Sequence, residues 1–218
     1  MTNILNCPQV TITVWGDFAL FSRPEGKVER ITYPVPTPSA VRGMLASIYS
    51  KPAEFYWQVQ RIEVLKKIQY ATFKRNELKS KMPRIPAGNP MKACLLIEED
   101  RTQRQSVVLR DVRYVIEGHF KMTDRAAPGD NEGKFKDTIR RRLEHGQCYH
   151  QPYFGTREFP ARFRPWEGEA IPAIDETRDL GYMLYDMDYS VPGEIVPLFF
   201  RASLERGVLD LTDCEVRR

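Results

Sequence analysis

The 218-residue chain is poor in the features that would place it in a class at once. Its four cysteines, Cys7, Cys94, Cys148 and Cys214, are scattered without a CxxC pair, which argues against a disulfide framework or a zinc finger. No apolar run approaches the ~18 residues that a membrane-spanning helix requires, so no membrane partner is expected. The opening stretch, MTNILNCPQVTITVWGD, passes straight into strand-like alternation without a signal-peptide layout, and the expectation is a reducing, cytoplasmic compartment. There is no GxxxxGK loop, no HExxH and no GxSxG, so nucleotide hydrolysis, zinc proteolysis and serine-esterase chemistry lack their working parts. Cys148, His150 and His145 lie close together in sequence but have no fourth zinc ligand, and neither a metal nor a cofactor is expected.

What is present is an uneven charge distribution. Residues 167–215 carry twelve acids against three arginines, while residues 1–166 carry 28 bases against 17 acids. Between Arg61 and Arg84 there are eight bases and two acids. A surface of this kind draws phosphates and speeds encounter with nucleic acid, without saying which one.

Hydrophobic period supplies the elements. QVTITVWG alternates Val10, Ile12 and Val14 with threonines and predicts a strand. Thr37 is placed to cap a helix over about 38–50, with Pro38 at its first position and Val41, Met44, Leu45 and Ile48 on one face. FYWQVQRIEVLKKIQYATFK reads as a second strand, interrupted at the lysine pair, and residues from about 74 to 104 read as a long basic arm. DVRYVIEGHF is a third strand. Asn131 or Asp130 caps a helix that runs to Gly146, burying Phe135, Ile139 and Leu143 and leaving Lys134, Thr138, Arg141 and His145 outside, with Lys136, Arg140 and Arg142 at the flanks. CYHQPYFGTREF is read as the fourth strand, with a turn near Phe154 and Gly155. The order strand, helix, strand, strand, helix, strand predicts an α+β fold, a ferredoxin-like (RRM-like) βαββαβ domain over residues 1–160. Residues 161–218 are expected to form an acidic antiparallel β appendage.

RNA scission without a metal requires activation of a ribose 2′-hydroxyl, stabilisation of the charged phosphorane and a proton for the leaving 5′-oxygen; tyrosine, lysine and histidine can share these roles. If the two helices lie side by side on one sheet face, Tyr49 at the end of the first and Lys134 at the start of the second can meet.

WGDFALFSRPEGKVERITYPVPTPSAVRGMLASIYSKP, NEGKFK and GQCYHQPYFGTREF together resemble the CRISPR-associated Cas five proteins of subtype I-C (Dvulg type), in the RAMP superfamily, over roughly residues 9–190. The resemblance implies a metal-independent endoribonuclease that cuts CRISPR precursor RNA within its repeat by 2′-hydroxyl attack. It then keeps the crRNA handle bound, beside the backbone and large subunits of the type I-C antiviral surveillance complex. The tyrosine of the family's SIY motif falls on Tyr49 and the lysine of its Asn-x-Gly-Lys motif on Lys134. Where the best-studied form of that motif continues with histidine this chain has Phe135, which cannot transfer a proton; His145 and His150 are the candidates to assist. Lys136, Arg140, Arg141, Arg142, Lys74, Arg75, Lys79 and Lys81 are the candidate RNA-binding residues. The alternative is a non-catalytic subunit that holds the crRNA handle, with duplex DNA as a further partner.

Overall fold

The computed structural model describes residues 9–26, 28–81, 95–168 and 171–218. The part of the basic arm at 82–94, which includes Arg84, and the cysteines Cys7 and Cys94 lie outside the described residues.

The alternating segment forms β1 (Gln9–Ala19), followed by the short β2 (Arg30–Ile31) and by α1 (Pro38–Ile48). Thr37 caps α1 as its sequence predicts, its hydroxyl accepting from the Ala40 N–H at 3.3 Å, a contribution of ~1 kcal/mol. The long aromatic segment divides at Lys66–Lys67 into β3 (Phe55–Val64) and β4 (Tyr70–Leu78). After α2 (Ile97–Asp100) comes β5 (Arg101–Met122), a strand of 22 residues, and then α3 (Glu132–Glu144). The chain ends in β6 (Arg162–Pro165), β7 (Arg178–Asp188), β8 (Val196–Leu204), β9 (Val208–Asp210) and β10 (Val216–Arg217). Among the described residues no helix is long and apolar enough to cross a membrane.

The larger sheet runs β6-β1-β5-β3-β9 with antiparallel pairing along that path. Ile12, Ile116 and Ile62 stand in register across it, and all three are fully buried. Both long helices cover this face. Leu45 of α1 reaches over Gly118, where an added Cβ would meet Leu45 Cδ1 at 3.1 Å. Phe135 of α3 packs on Phe55 and Phe120, centroids 4.9 and 5.9 Å away.

Three sequence expectations need correction. The arm is not a loop where it is described: β4 pairs with the first half of β5, from Tyr70↔Leu109 to Leu78↔Arg101, and β2 lies along the other side of β5 at Ser106 and Val107. Asp111, with φ of +49°, lies between the parts of β5 that pair with β4 and with β3, and Lys66 pairs with its carboxylate at 3.1 Å. The fourth strand lies at Arg162–Pro165 rather than in the CYHQPYFGTREF stretch. That stretch instead folds as a loop: Gly155 takes φ +79° because a Cβ there would sit 2.0 Å from the Leu20 carbonyl oxygen, and Phe154, fully buried, lies against Gly16. Finally, the C-terminal strands do not all leave the main sheet. β7, β8 and β10 form a separate antiparallel sheet in the order β10-β8-β7, but β9 adds to the edge of β3 and β6 to the edge of β1.

α1 joins the two sheets. Its inner face buries Val41, Met44, Leu45 and Ile48, while Arg42 forks onto Asp186 of β7, with Nη2 2.7 Å from Oδ1. The Leu184 N–H donates to the Tyr33 hydroxyl beside it at 3.3 Å. A bidentate arginine–carboxylate pair fixes orientation as well as distance, so the smaller sheet is locked to the helix rather than tethered to it.

Candidate active site

Tyr49 is the residue at which α1 stops. Its φ of −151° and ψ of 124° turn the chain into an extended path, although its N–H still closes the last helical turn on the Leu45 carbonyl at 3.0 Å. Two contacts hold the turn. Trp57 Nε1 donates to the Tyr49 carbonyl at 2.7 Å, and Arg142 Nη1 of α3 donates to the Ile48 carbonyl at 2.7 Å, placing a cation at the negative end of the helix dipole. The ring of Tyr49 is packed by Phe55, Phe120 and Phe135 at 5.5, 6.5 and 6.3 Å, and the Arg142 guanidinium lies 5.1 Å from its centroid. The residue is only 6 % exposed, and the packing of its ring fixes the direction in which its hydroxyl points.

The second half of the site is the start of α3. Asn131, not Asp130, is the cap, its side-chain oxygen accepting from the Lys134 N–H at 2.8 Å. Asp130 is thereby released for a different contact: its Oδ1 accepts from Lys134 Nζ at 2.8 Å. The carboxylate side chain is 7 % exposed and the ammonium side chain 57 %, so the lysine is anchored at one point and open on its remaining sides. Phe135, fully buried, forms the floor between Tyr49 and this pair, and Lys51 Nζ stands 5.6 Å from its ring centroid.

The electrostatics follow from that pairing. The hydrogen bond from Lys134, followed by its charge and that of Lys51, holds Asp130 below the usual carboxylate range against the effect of burial. Lys134 is pushed above the ordinary lysine value first by its hydrogen bond to Asp130, then by the Asp130 charge, with Tyr49 and Glu54 adding to it. The lysine therefore keeps its proton to a higher pH. Stability from its raised pKa is fully present below ~10.4 and is lost as pH rises through the folded-state value. Stability from the depressed Asp130 pKa is present above ~3.9 and is lost as pH falls. Asp130→Asn is expected to move the Lys134 titration back down toward the ordinary value. NMR of the labelled lysine ε position checks this; an unmoved midpoint would show that the pair does not set the proton affinity.

The remaining candidates divide into two groups. On α3, Lys136, Arg140 and Arg141 are exposed, Arg140 pairing with Asp137 at 3.4 Å, whereas Arg142 is turned inward onto α1. His145 is exposed and its Nδ1 lies 2.8 Å from the Arg141 carbonyl oxygen. His150 is reached through a loop pinned to α1, since the N–H groups of Tyr149 and His150 both donate to the Ser47 carbonyl, at 2.9 and 3.0 Å. The arm carries the others. Lys74, Lys79 and Lys81 are exposed, but Arg75 lies between Phe73 and Phe159, 5.8 and 5.4 Å from their centroids, and is ion-paired to Glu158. Lys74 pairs with Gln105, fifteen residues along β5 from Phe120, so the arm and the Tyr49–Lys134 cluster are separated by roughly 50 Å of strand. Tyr49, Lys134 and the α3 bases are brought together; the arm lysines are not part of that cluster. Sequence reading did not single out Lys51 or Glu54 and took Asp130 only as an alternative helix cap, although Lys51 stands two residues after Tyr49 and Asp130 one helical turn before Lys134.

With this geometry in hand, a family model described as CRISPR-associated protein (Cas_Cas5) matches residues 10–212. A protein of Mannheimia succiniciproducens named CRISPR pre-crRNA endoribonuclease Cas5d is 42% identical over 215 residues, covering 93% of this chain and 94% of that one. A protein of Thermus thermophilus with the same name is 40% identical over 220 residues, covering 93% and 91%. Among solved structures, a CRISPR-associated protein aligns with a TM-score of 0.69 at 22% identity over 97% of both chains. A functionally uncharacterized protein from Streptococcus mutans gives the same score and identity over 99% and 100%.

Proposed function

Because the chain belongs to the Cas5 family of CRISPR-associated proteins, we propose that it is a pre-crRNA endoribonuclease whose scissile site is the Tyr49–Lys134 cluster. The observation that carries the assignment is the juxtaposition at the two helix ends: a packed tyrosine next to an ammonium group held by one carboxylate. The strand order β6-β1-β5-β3 with α1 and α3 on one face supports the ferredoxin-like reading of the larger sheet.

In this reading the ribose at the cut lies against the Tyr49 hydroxyl, which orients the 2′-hydroxyl and relays its proton, taking it up as the phenolic proton passes to water. The 2′-oxygen attacks phosphorus in line, the bond to the 5′-oxygen breaks as that oxygen takes a proton from water, and a 2′,3′-cyclic phosphate is left. Lys134 stabilises the charge that gathers on the non-bridging oxygens; an aligned donor of this type supplies ~10²–10³ in rate. No metal step enters. Lys136, Arg140 and Arg141 run along the exposed side of α3 from that point and grip the backbone of the repeat hairpin, with His145 and His150 as assisting groups near the turn that follows. Lys74, Lys79 and Lys81 extend the contact through the arm, and the product is retained as the crRNA handle beside the backbone and large subunits of a type I-C complex in the cytoplasm. Duplex DNA is a second polyanion for the same basic surface.

One observation favours the alternative, a subunit that holds RNA without cutting: Phe135 is locked in an aromatic cluster and offers no proton where the family motif continues with histidine. Incubation with repeat RNA in EDTA decides between the two. Cutting at one position is expected, and a single 2′-deoxy substitution at that position is expected to stop it. Binding without scission would establish the holding role, and scission of the deoxy substrate would overturn the 2′-hydroxyl mechanism.

A further inference from the structure

The Tyr49–Lys134 cluster contains more positive charge than the two residues account for. Lys51 follows Tyr49 by two positions, on the turn whose backbone is closed by the N–H groups of Glu54 and Phe55 donating to the Lys51 carbonyl, both at 2.9 Å. That turn carries its side chain back over the site. Its Nζ lies 5.6 Å from the centroid of Phe135, the ring that also packs against Tyr49. Two further links tie it to Lys134. Asp130, the anchor of Lys134, is attracted by Lys51 as well, and Glu54, the ion-pair partner of Lys51 at 3.6 Å, acts on Lys134 in turn. The two ammonium groups therefore share their anions and flank one aromatic floor. The Lys51–Glu54 pair is partly exposed, its side chains 38 % and 24 % accessible, and a pair that solvent reaches is readily exchanged for a stronger anion.

We propose that Lys51 is a second phosphate-contacting cation of the site, binding the scissile phosphate opposite Lys134. Arg142, the other cation beside Tyr49, is committed to the Ile48 carbonyl and the tyrosine ring, and cannot reach forward. Lys51 is held instead by its partly exposed ion pair with Glu54. As the 2′-oxygen closes on phosphorus, charge accumulates on two non-bridging oxygens; Lys134 alone neutralises one side, and Lys51 meets the other. The proposal rests on the nuclease reading for its kinetic consequence but not for the contact itself, and the two are tested separately.

For the contact, the Kd of a repeat hairpin made uncleavable by a 2′-deoxy substitution is measured across a salt series for wild type and Lys51→Ala. Loss of one phosphate contact is expected to lower the slope of log affinity against log salt by ~0.7–0.9. An unchanged slope overturns the proposal whether or not the protein cuts. For the chemistry, single-turnover scission by Lys51→Ala is expected to fall ~10–100-fold, to return in part with added ethylammonium, and to be largely kept by Lys51→Arg. A variant that cuts at the wild-type rate, or a loss that neither ethylammonium nor arginine relieves, also overturns it. If the wild type itself fails to cut, the nuclease reading falls while the salt slope still decides on Lys51. Thermal melting of the variant guards against misfolding, which is not expected, since the turn is held by the backbone of Lys51 and not by its side chain.

Discussion

Tyr49→Phe is expected to bind repeat RNA as wild type does and to cut it ~10²–10⁴-fold more slowly, the range associated with loss of a positioned proton-transfer group. The substitution removes one oxygen and nothing else. The contacts that hold the ring, with Phe55, Phe120, Phe135 and the Arg142 guanidinium, involve its face and edge and survive intact. With that packing kept, the melting temperature is expected to stay within a degree or so. Lys134→Ala is the companion measurement, with a fall of ~10²–10³ in single-turnover rate and a small effect on affinity. Asp130 is left without its counter-ion in that variant and returns toward an ordinary carboxylate pKa. Scission by Tyr49→Phe at the wild-type rate would remove tyrosine from the mechanism.

Phe135→Ala is expected to be the most damaging single change to stability near the site. The ring is fully buried and meets Tyr49, Phe55 and Phe120, so truncation empties the centre of an aromatic cluster. Truncations of this type cost ~3–5 kcal/mol. In a domain of this size that lowers the melting temperature by on the order of 10 °C. The loss of scission should exceed what stability explains, because the same ring sets the tilt of Tyr49 and forms the floor beneath Lys51. Phe135→Leu, which refills most of the volume, is expected to recover the melting temperature more fully than the cutting rate. Differential scanning calorimetry and single-turnover assays at a temperature where both variants are folded separate the two effects.

The elements that sequence made legible are those fixed by neighbours in the chain. Thr37 and Pro38 start α1 because a hydroxyl and a ring are needed at those places, and the four-residue repeat of Phe135, Ile139 and Leu143 gives the inner face of α3. The Lys66–Lys67 break is legible for the same reason, as charge interrupts an apolar run. What was hidden depends on partners distant in sequence. RTQRQSVVLR has the composition of a loop, and becomes strand only because β4 lies beside it. CYHQPYFGTREF has the aromatic content of a strand, but the turn at Gly155 spends Phe154 on the space beneath Gly16 and leaves Tyr149 exposed. Arg75 looks like any other base in a basic stretch; its partner Glu158 is 83 residues away. Tyr49 and Lys134 stood out through the family motifs, while Lys51 and Asp130 acquire meaning only when the two helix ends are folded against each other.

The double duty of α1 also bears on how the chain can be shortened. One flank of that helix is sealed by the smaller sheet through Arg42 and Asp186, and its last turn ends on the phenol. A truncation after residue 168 would strip off that flank together with β9, exposing the apolar side of the helix and the outer edge of β3. The acidic C-terminal quarter of the molecule is thus a buttress for the helix that ends on Tyr49.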